Sequence, residues 1–191
     1  MIYKVKRDEA HYQQLTLDAF NLGDQLASSG IGLDECANLG LLNVELANRW
    51  VRVESSFSPL LDHPTAVKIP NISIWVNATL VLSEKAYAGL KLALVDFGEF
   101  LPINVNGFTY YIFNLLVEGK RDQEKTQYEW EDDLAIELES LAFDQADIQD
   151  KHLFKSFEHG FGGVFCSEAF KATCEELDLD GLVFDENLVG G

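Results

Sequence analysis

The stretch ISIWVNATLVLSEKAYAGLKLALVDFGEFLPI, residues 72–103, decides the fold that this sequence predicts. Residues 80–82 are an apolar run typical of a buried strand. Ser83 and Glu84 mark a helix start, because a serine hydroxyl accepts from the first free N–H groups of a helix and a carboxylate suits the positive end of its dipole. Gly98 can end that helix before a second strand. The stretch therefore predicts a strand, a helix of about three turns and another strand.

A second copy of this pattern lies near the C-terminus. Val164-Phe165-Cys166 is strand-like, Ser167-Glu168 repeats the helix start, and Gly181 precedes the apolar residues 182–184. The likeness has two explanations: a duplicated half of the chain, or one common supersecondary pattern used twice, of which we favour the second.

Other signals predict the remaining strands. Asn106-Gly107 lies between two apolar segments and predicts a tight antiparallel hairpin. Residues 152–157 have the composition of a strand. Leu134, Ile136 and Leu138 alternate with Ala135, Glu137 and Glu139, which fits a strand with one wet face. A short helix with Leu134, Leu138 and Leu141 on one face fits nearly as well. Residues 21–40 are rich in Gly, Ser, Asn and Asp, so we expect a loop or a mobile segment that forms a surface or a lid.

Together these signals predict an α+β fold with a mixed, mainly antiparallel sheet and a few packed helices. It includes the two strand–Ser-Glu–helix–strand units. The chain of 191 residues suits a single domain with an ordinary hydrophobic core. Within that domain, residues 70–184 carry the recognisable pattern, and residues 1–69 form a less defined N-terminal portion.

Charge is the dominant compositional feature. The chain has 14 Lys and Arg against 32 Asp and Glu, a formal net charge of −18. Such a surface repels nucleic acid and anionic membranes and attracts basic proteins, although acidity also simply keeps a protein soluble. No apolar run approaches the roughly 20 residues that span a bilayer, and the N-terminus becomes polar too early for a secretory signal. We therefore expect a cytoplasmic protein without nucleic-acid or membrane partners.

The acidic residues concentrate in one segment. Residues 129–150 contain nine carboxylates and no Lys or Arg, a run that needs either full solvation or a cationic partner. Aromatic side chains beside carboxylates are typical of an interface with a basic surface. The hypothetical interface comprises Tyr128, Glu129, Trp130, Glu131, Asp132, Asp133, Glu137 and Glu139. A solvated acidic face with the two aromatic rings half-buried is the alternative interpretation.

The sequence offers no motif for catalysis, metal or cofactor binding. The four histidines match no zinc spacing, and neither Ser83 nor Ser167 has the flanking glycines of a nucleophile elbow. Glu129, Asp132 and Asp133 are hard oxygen donors, but their order is not that of a calcium loop. The three cysteines form no CxxC pair, so buried reduced thiols are expected. We predict neither catalytic nor metal-binding nor cofactor-binding residues.

Six segments recur in a recognisable order and spacing: Leu80-Val81-Leu82-Ser83-Glu84-Lys85-Ala86, Glu99-Phe100-Leu101-Pro102-Ile103, Tyr110 to Asn114, Ile148 through His152-Leu153-Phe154-Lys155, Cys166-Ser167-Glu168-Ala169-Phe170 and Leu179-Asp180-Gly181-Leu182-Val183-Phe184. Together they resemble an immunity-protein family of bacterial polymorphic toxin systems, first catalogued as a domain of unknown function. The resemblance covers roughly residues 70–184.

The resemblance implies an α+β fold and a non-catalytic protein that binds a cognate toxin and blocks it. A basic toxin, such as a nuclease with a positive active groove, would complement the acidic segment. The oligomeric state, monomer or homodimer, stays open. A small-molecule-binding or regulatory domain is the alternative, with its pocket under residues 21–40, and an enzyme is a more remote one.

Overall fold

The computed structural model describes residues 1–190 of the chain. Its helices are α1 (Ala19–Leu26), α2 (Leu33–Ala37), α3 (Glu84–Leu94), α4 (Gln145–Ile148) and α5 (Glu168–Glu176), with a 3-10 turn at Ala27–Ser29. Its strands are β1 (Ile2–Arg7), β2 (Gln14–Leu15), β3 (Val53–Ser55), β4 (Phe57–Ser58), β5 (Ile72–Ile74), β6 (Thr79–Ser83), β7 (Gly98–Val105), β8 (Phe108–Leu115), β9 (Gln127–Glu131), β10 (Leu134–Ser140), β11 (Leu153–Glu158), β12 (Phe161–Ser167) and β13 (Leu182–Asp185).

Two larger sheets organise the molecule. A four-stranded sheet has the order β11-β12-β1-β13, and a five-stranded sheet has the order β3-β7-β8-β6-β5. Every named pair in them is antiparallel except β3 with β7. The strands β9 and β10 form a separate two-stranded hairpin, and the short strands β2 and β4, which are distant in sequence, form a small two-stranded sheet. The prediction of an α+β fold with mainly antiparallel sheets is confirmed. No helix within residues 1–190 combines the length and apolar character needed to cross a bilayer.

The first strand–helix–strand unit has the predicted structure. β6 ends at Ser83, whose hydroxyl accepts a hydrogen bond from the Ala86 N–H at 3.2 Å and so caps α3. The second unit repeats it, because the Ser167 hydroxyl accepts from the Phe170 N–H at 3.4 Å at the start of α5. Both serines are therefore helix caps.

The two units also share one topology. In the first, β6 and β7 run parallel with the antiparallel β8 between them, and in the second, β12 and β13 run parallel with β1 between them. Each unit also begins with an antiparallel hairpin, β5 with β6 and β11 with β12. The likeness seen in the sequence thus extends to the pairing of four strands around each helix.

The two units share a central core. Side chains from one face of each sheet and from both capped helices form one buried cluster, which includes Leu80, Phe113, Leu90, Val164 and Phe170. Cys166 and Cys174 are free thiols inside this core, and burial raises their pKa values, to about 12 for Cys174. The expectation of buried reduced thiols is confirmed for both, as it is for Cys36 in the neighbouring core.

The hairpin predicted at Asn106-Gly107 is confirmed. These two residues join β7 to β8 with φ values of 52° and 92°, the left-handed conformations that a tight hairpin turn requires. Residues 134–138 belong to the strand β10, so the strand interpretation holds and the short helix is wrong.

The loop predicted for residues 21–40 is wrong. This segment contains most of α1, the 3-10 turn and α2, and its apolar side chains pack on the outer face of the five-stranded sheet. Leu22 and Leu26 are completely buried, and the Asp18 carboxylate caps α1 at the Asn21 N–H. Burial of these leucines outweighs the low helix propensity of the surrounding Gly, Ser and Asn residues. The segment is a packed cover over the sheet.

A buried cation holds this cover in place. Lys155, on the edge strand β11, is fully buried, and its ammonium donates to the Gly40 carbonyl at 2.8 Å and to the Leu41 carbonyl at 3.3 Å. Removal of the ammonium from water lowers the pKa of Lys155. The N-terminal portion is therefore tied to the C-terminal unit by a charge-assisted contact that sequence patterning did not suggest.

Alanine at either capping serine is expected to lower the free energy of unfolding by about 1 kcal/mol, because one N–H at the helix start loses its acceptor. Urea denaturation of Ser83→Ala and Ser167→Ala measures this loss. Ser28→Ala, at an exposed position, is the matched control. A loss in the control as large as in the two variants would show that the caps are not its cause.

Stability is expected to depend on pH through Lys155. Its pKa is lowered in the folded chain, so the unfolded chain binds more protons and folding gains stability as pH rises towards the ordinary lysine pKa of about 10.4. Lys155→Met has similar size and no charge. Urea denaturation measures the unfolding free energies of the wild type and of this variant. From neutral pH to pH 10, the wild type should therefore gain stability relative to the variant. A difference that stays constant with pH would contradict the lowered pKa.

Candidate protein interface

The eight residues of the hypothetical interface all lie on the β9–β10 hairpin, residues 127–140, which we call the acidic ribbon. Its strands pair antiparallel, with Leu134 opposite Glu131 and Leu138 opposite Tyr128. Asp132 and Asp133 form the connecting turn with φ values of 47° and 64°. Aspartate tolerates this left-handed conformation better than most residues, which explains why two acidic residues can occupy the tip.

The ribbon has two different faces. Tyr128, Trp130, Ala135 and Leu138 pair across the strands on one face. Glu129 and Glu137 pair directly opposite each other on the other face. Like charges at such paired positions repel, so the ribbon carries an unfavourable interaction of its own.

The six acidic side chains of the ribbon are exposed. None of them forms an ion pair or a hydrogen bond with another side chain or backbone group in residues 1–190. Other acids of the base-free segment differ, since Asp147 contacts the Lys151 ammonium at 2.6 Å and Asp144 lies 4.0 Å from that of Lys120. Within residues 129–150, the uncompensated charge is therefore confined largely to the ribbon.

Exposed apolar side chains accompany these charges. Trp130 is 51% exposed, Leu134 69% and Ile136 47%. Apolar groups within an acidic surface supply area that a partner can bury, while the carboxylates supply charge for orientation. The ribbon therefore exposes both apolar area and negative charge.

A cluster of polar and aromatic groups fastens the ribbon to the body. The Tyr128 hydroxyl donates to the Glu158 carboxylate at 3.0 Å and also bonds the Arg121 guanidinium. Arg121 is almost fully buried and donates to the Ser156 hydroxyl at 3.0 Å and to the Phe161 carbonyl at 2.7 Å. Burial, reinforced by Glu158 and opposed by Arg121, raises the pKa of Tyr128.

His159 completes this attachment. It lies in the turn between β11 and β12, and its ring packs edge-on against Tyr128 and Trp130 at centroid distances of 5.2 and 5.1 Å. Tyr128 thus faces the body, while the Trp130 side chain is half-exposed and contacts both the body and solvent. Sequence reasoning missed Arg121, Glu158 and His159, because they are distant in the sequence or separated from the acidic run. The position of Arg121, shortly before an aromatic-acidic strand, was the available signal.

Two further kinds of site were considered: a metal-binding cluster and a ligand pocket. Among residues 1–190, no group of three or more His, Cys, Asp or Glu side chains is arranged to hold a metal ion. A depression of about 410 Å³ lies between α1 and α2, lined by Phe20, Gly23 and Leu33 among others. Leu22 and Leu26 of α1 are buried against the five-stranded sheet.

Comparison with known proteins agrees with the resemblance found in the sequence. Residues 109–188 match the model of a family described as "Immunity protein family (Imm11)". The match covers less than half of the chain, and it includes β8 almost entirely, the whole acidic ribbon and the second strand–helix–strand unit. The suspected resemblance to an immunity-protein family is thereby confirmed for residues 109–188. No curated protein matches the chain.

Glu137→Lys is expected to stabilise the ribbon, because it replaces repulsion with Glu129 by attraction. We expect a gain of about 0.5 kcal/mol, with slower amide hydrogen exchange in residues 127–140. Glu139→Lys is the matched control, since it makes the same charge change at a residue that has no directly opposite partner in the register. Equal effects of the two variants would assign the gain to net charge instead of to the cross-strand pair.

Proposed function

We propose that this chain is an immunity protein that binds a cognate toxin and neutralises it without catalysis. The observation that carries this proposal is the match of residues 109–188 to an immunity-protein family, a segment that contains the acidic ribbon. We further propose that the chain acts in the cytoplasm as one domain. The position of β1 between β12 and β13 supports the single domain, because it joins the two ends of the chain in one sheet.

The partner that best complements this chain is a basic protein. The net charge of −18 attracts a positive surface over a distance, and the six free carboxylates of the ribbon concentrate the field at one place. A toxic nuclease is the example that fits best, since its active groove must be positive to hold nucleic acid. Binding of the ribbon in such a groove would accelerate capture and exclude the substrate.

Within the ribbon, the proposed contacts divide by exposure. Glu129, Glu131, Asp132, Asp133, Glu137 and Glu139 are proposed to steer and orient the toxin. Trp130, Leu134 and Ile136 expose the apolar area that a tight contact buries. Tyr128 is proposed to act from beneath, because its hydroxyl is already bonded to Glu158 and Arg121. Its contribution is a fixed position for the indole of Trp130.

A non-catalytic role agrees with the chemistry of the ionisable groups nearest to the ribbon. The Arg121 guanidinium is occupied by Ser156, Phe161 and Tyr128, and the Glu158 carboxylate by the Tyr128 hydroxyl. These contacts hold the ribbon on the body and leave the strong donors of Arg121 directed inward. The cluster therefore favours a positioning role.

Affinity capture from the host of this chain tests the function. The captured protein is then expressed alone, and together with this chain, in cells that lack both. We expect it to arrest growth alone and to be harmless when the chain is present. A captured protein that is harmless by itself, or toxicity that the chain does not relieve, would contradict the immunity function.

Neutralising the ribbon tests the interface. Glu129→Gln, Glu131→Gln, Asp132→Asn and Asp133→Asn together keep side-chain size, and asparagine tolerates the left-handed turn. With the purified toxin, we expect association to slow about tenfold at low salt and its salt dependence to flatten. Stopped-flow kinetics measure both effects.

The matched control removes the same four charges at exposed positions elsewhere, by Asp62→Asn, Asp96→Asn, Glu176→Gln and Glu186→Gln. It should retain most of the association rate. If the two quadruple variants slow association equally, net charge alone steers the toxin and the ribbon is not the contact surface.

A further inference from the structure

A small cavity lies between α2 and residues 38–46, which follow this helix and are distant in sequence from the ribbon. Its volume is about 120 Å³, and its apolar walls are Leu39, Leu42, Val44 and Leu46. Apolar cavities of about 150 Å³ bind a ring as large as benzene. The cavity is therefore large enough for one aliphatic side chain and too small for a typical metabolite or cofactor.

Tertiary hydrogen bonds fix the backbone around this cavity. The Leu39 carbonyl accepts from the Asn77 amide at 2.9 Å, and the Val44 carbonyl accepts from the buried Asn114 amide at 3.0 Å. The Glu99 carboxylate accepts from the Leu46 N–H at 2.7 Å. A cavity held in this way exists before a ligand arrives, so an occupant loses little binding energy to ordering of the wall.

Apolar side chains at the mouth remain in water. Of the residues that line the cavity, Leu42 is 55% exposed and Val44 is 36% exposed. Such a rim around a preformed apolar cavity is what a protein interface uses to bury an anchoring side chain.

The charges near the mouth specify the kind of partner. Asp34 lines the cavity and Glu45 is exposed close by in the sequence, whereas Glu35 is engaged by the Arg49 guanidinium. Asp34 and Glu45 have no ion pair within the part of the chain that the structure describes. Positive residues on either side of an inserted aliphatic side chain would complement them.

We propose that this cavity receives an aliphatic side chain, flanked by Lys or Arg, of a basic protein partner. In identifying that partner with the toxin, the proposal rests on the proposed function. It adds a second contact in residues 34–46, outside the segment that matches the immunity family. Both contacts are anchored at the edge strand β11, because Lys155 holds the backbone of residues 40–41 and Ser156 holds Arg121 beneath the ribbon.

Blocked pentapeptides test the cavity without the toxin. The first has one leucine between two pairs of lysines, the second replaces the leucine by alanine, and the third replaces the lysines by glutamates. Methyl NMR of the full chain follows the signals of Leu39, Leu42 and Val44 during titration. We expect the first peptide to shift these methyl signals and to bind at least about fivefold more tightly than either of the others.

Two variants localise the effect. Leu42→Ala is expected to weaken the first peptide about fivefold and Asp34→Asn to weaken it less, while Leu92→Ala, at an exposed leucine on α3, should change nothing. Circular dichroism confirms that the variants fold. Absence of methyl shifts, or equal binding of the leucine and alanine peptides, would overturn the proposal.

The outcomes separate this inference from the proposed function. If the peptides fail and the toxin is still neutralised, the cavity is not a contact and the immunity function stands. If the peptides bind as expected and no toxin is captured, the cavity is a docking site for another basic protein and the immunity function falls.

Discussion

The shared central core is the constraint on which the rest of this structure depends. Each capped helix has an apolar face that its own sheet covers only in part, and the two units cover each other in one cluster. The join between the units is close, because a Cβ atom at Gly181 would lie 2.4 Å from the Cβ of Pro70, and the φ of Gly181 is +107°. Only glycine accepts both the conformation and this approach. The two sheets therefore have one mutual arrangement, and the surrounding segments adapt to it.

The segments outside the two units cover the outer faces of the two sheets. The N-terminal cover, with α1 and α2, closes the five-stranded sheet and forms the small cavity at its margin. A third cluster around Phe143, Phe154 and Phe165 closes the four-stranded sheet. The segment that supplies Phe143 also carries the acidic ribbon. A segment that covers a sheet is fixed by a few buried side chains. Its other residues face solvent and are available for binding.

The ribbon illustrates a conflict between stability and association. A two-stranded hairpin is only marginally stable by itself, and opposed glutamates weaken it further. Arg121, Tyr128 and His159 compensate by fixing its aromatic face to the body, which leaves the acidic face in water. The exposed carboxylates of the ribbon therefore support the proposal of an external cationic partner. The family match spans residues 109–188, which include the ribbon.

The sequence by itself determined the local elements: the two serine caps, the stripes of the helices, the Asn106-Gly107 turn and the acidic composition of residues 129–139. These follow from neighbours in the chain, whose spacing fixes which groups meet. Only the tertiary structure decided that residues 21–40 contain packed helices, that Lys155 is a buried tether, and that Tyr128 faces inward while the carboxylates do not. Each of these depends on burial against residues distant in sequence, and burial of apolar area outweighs local propensity.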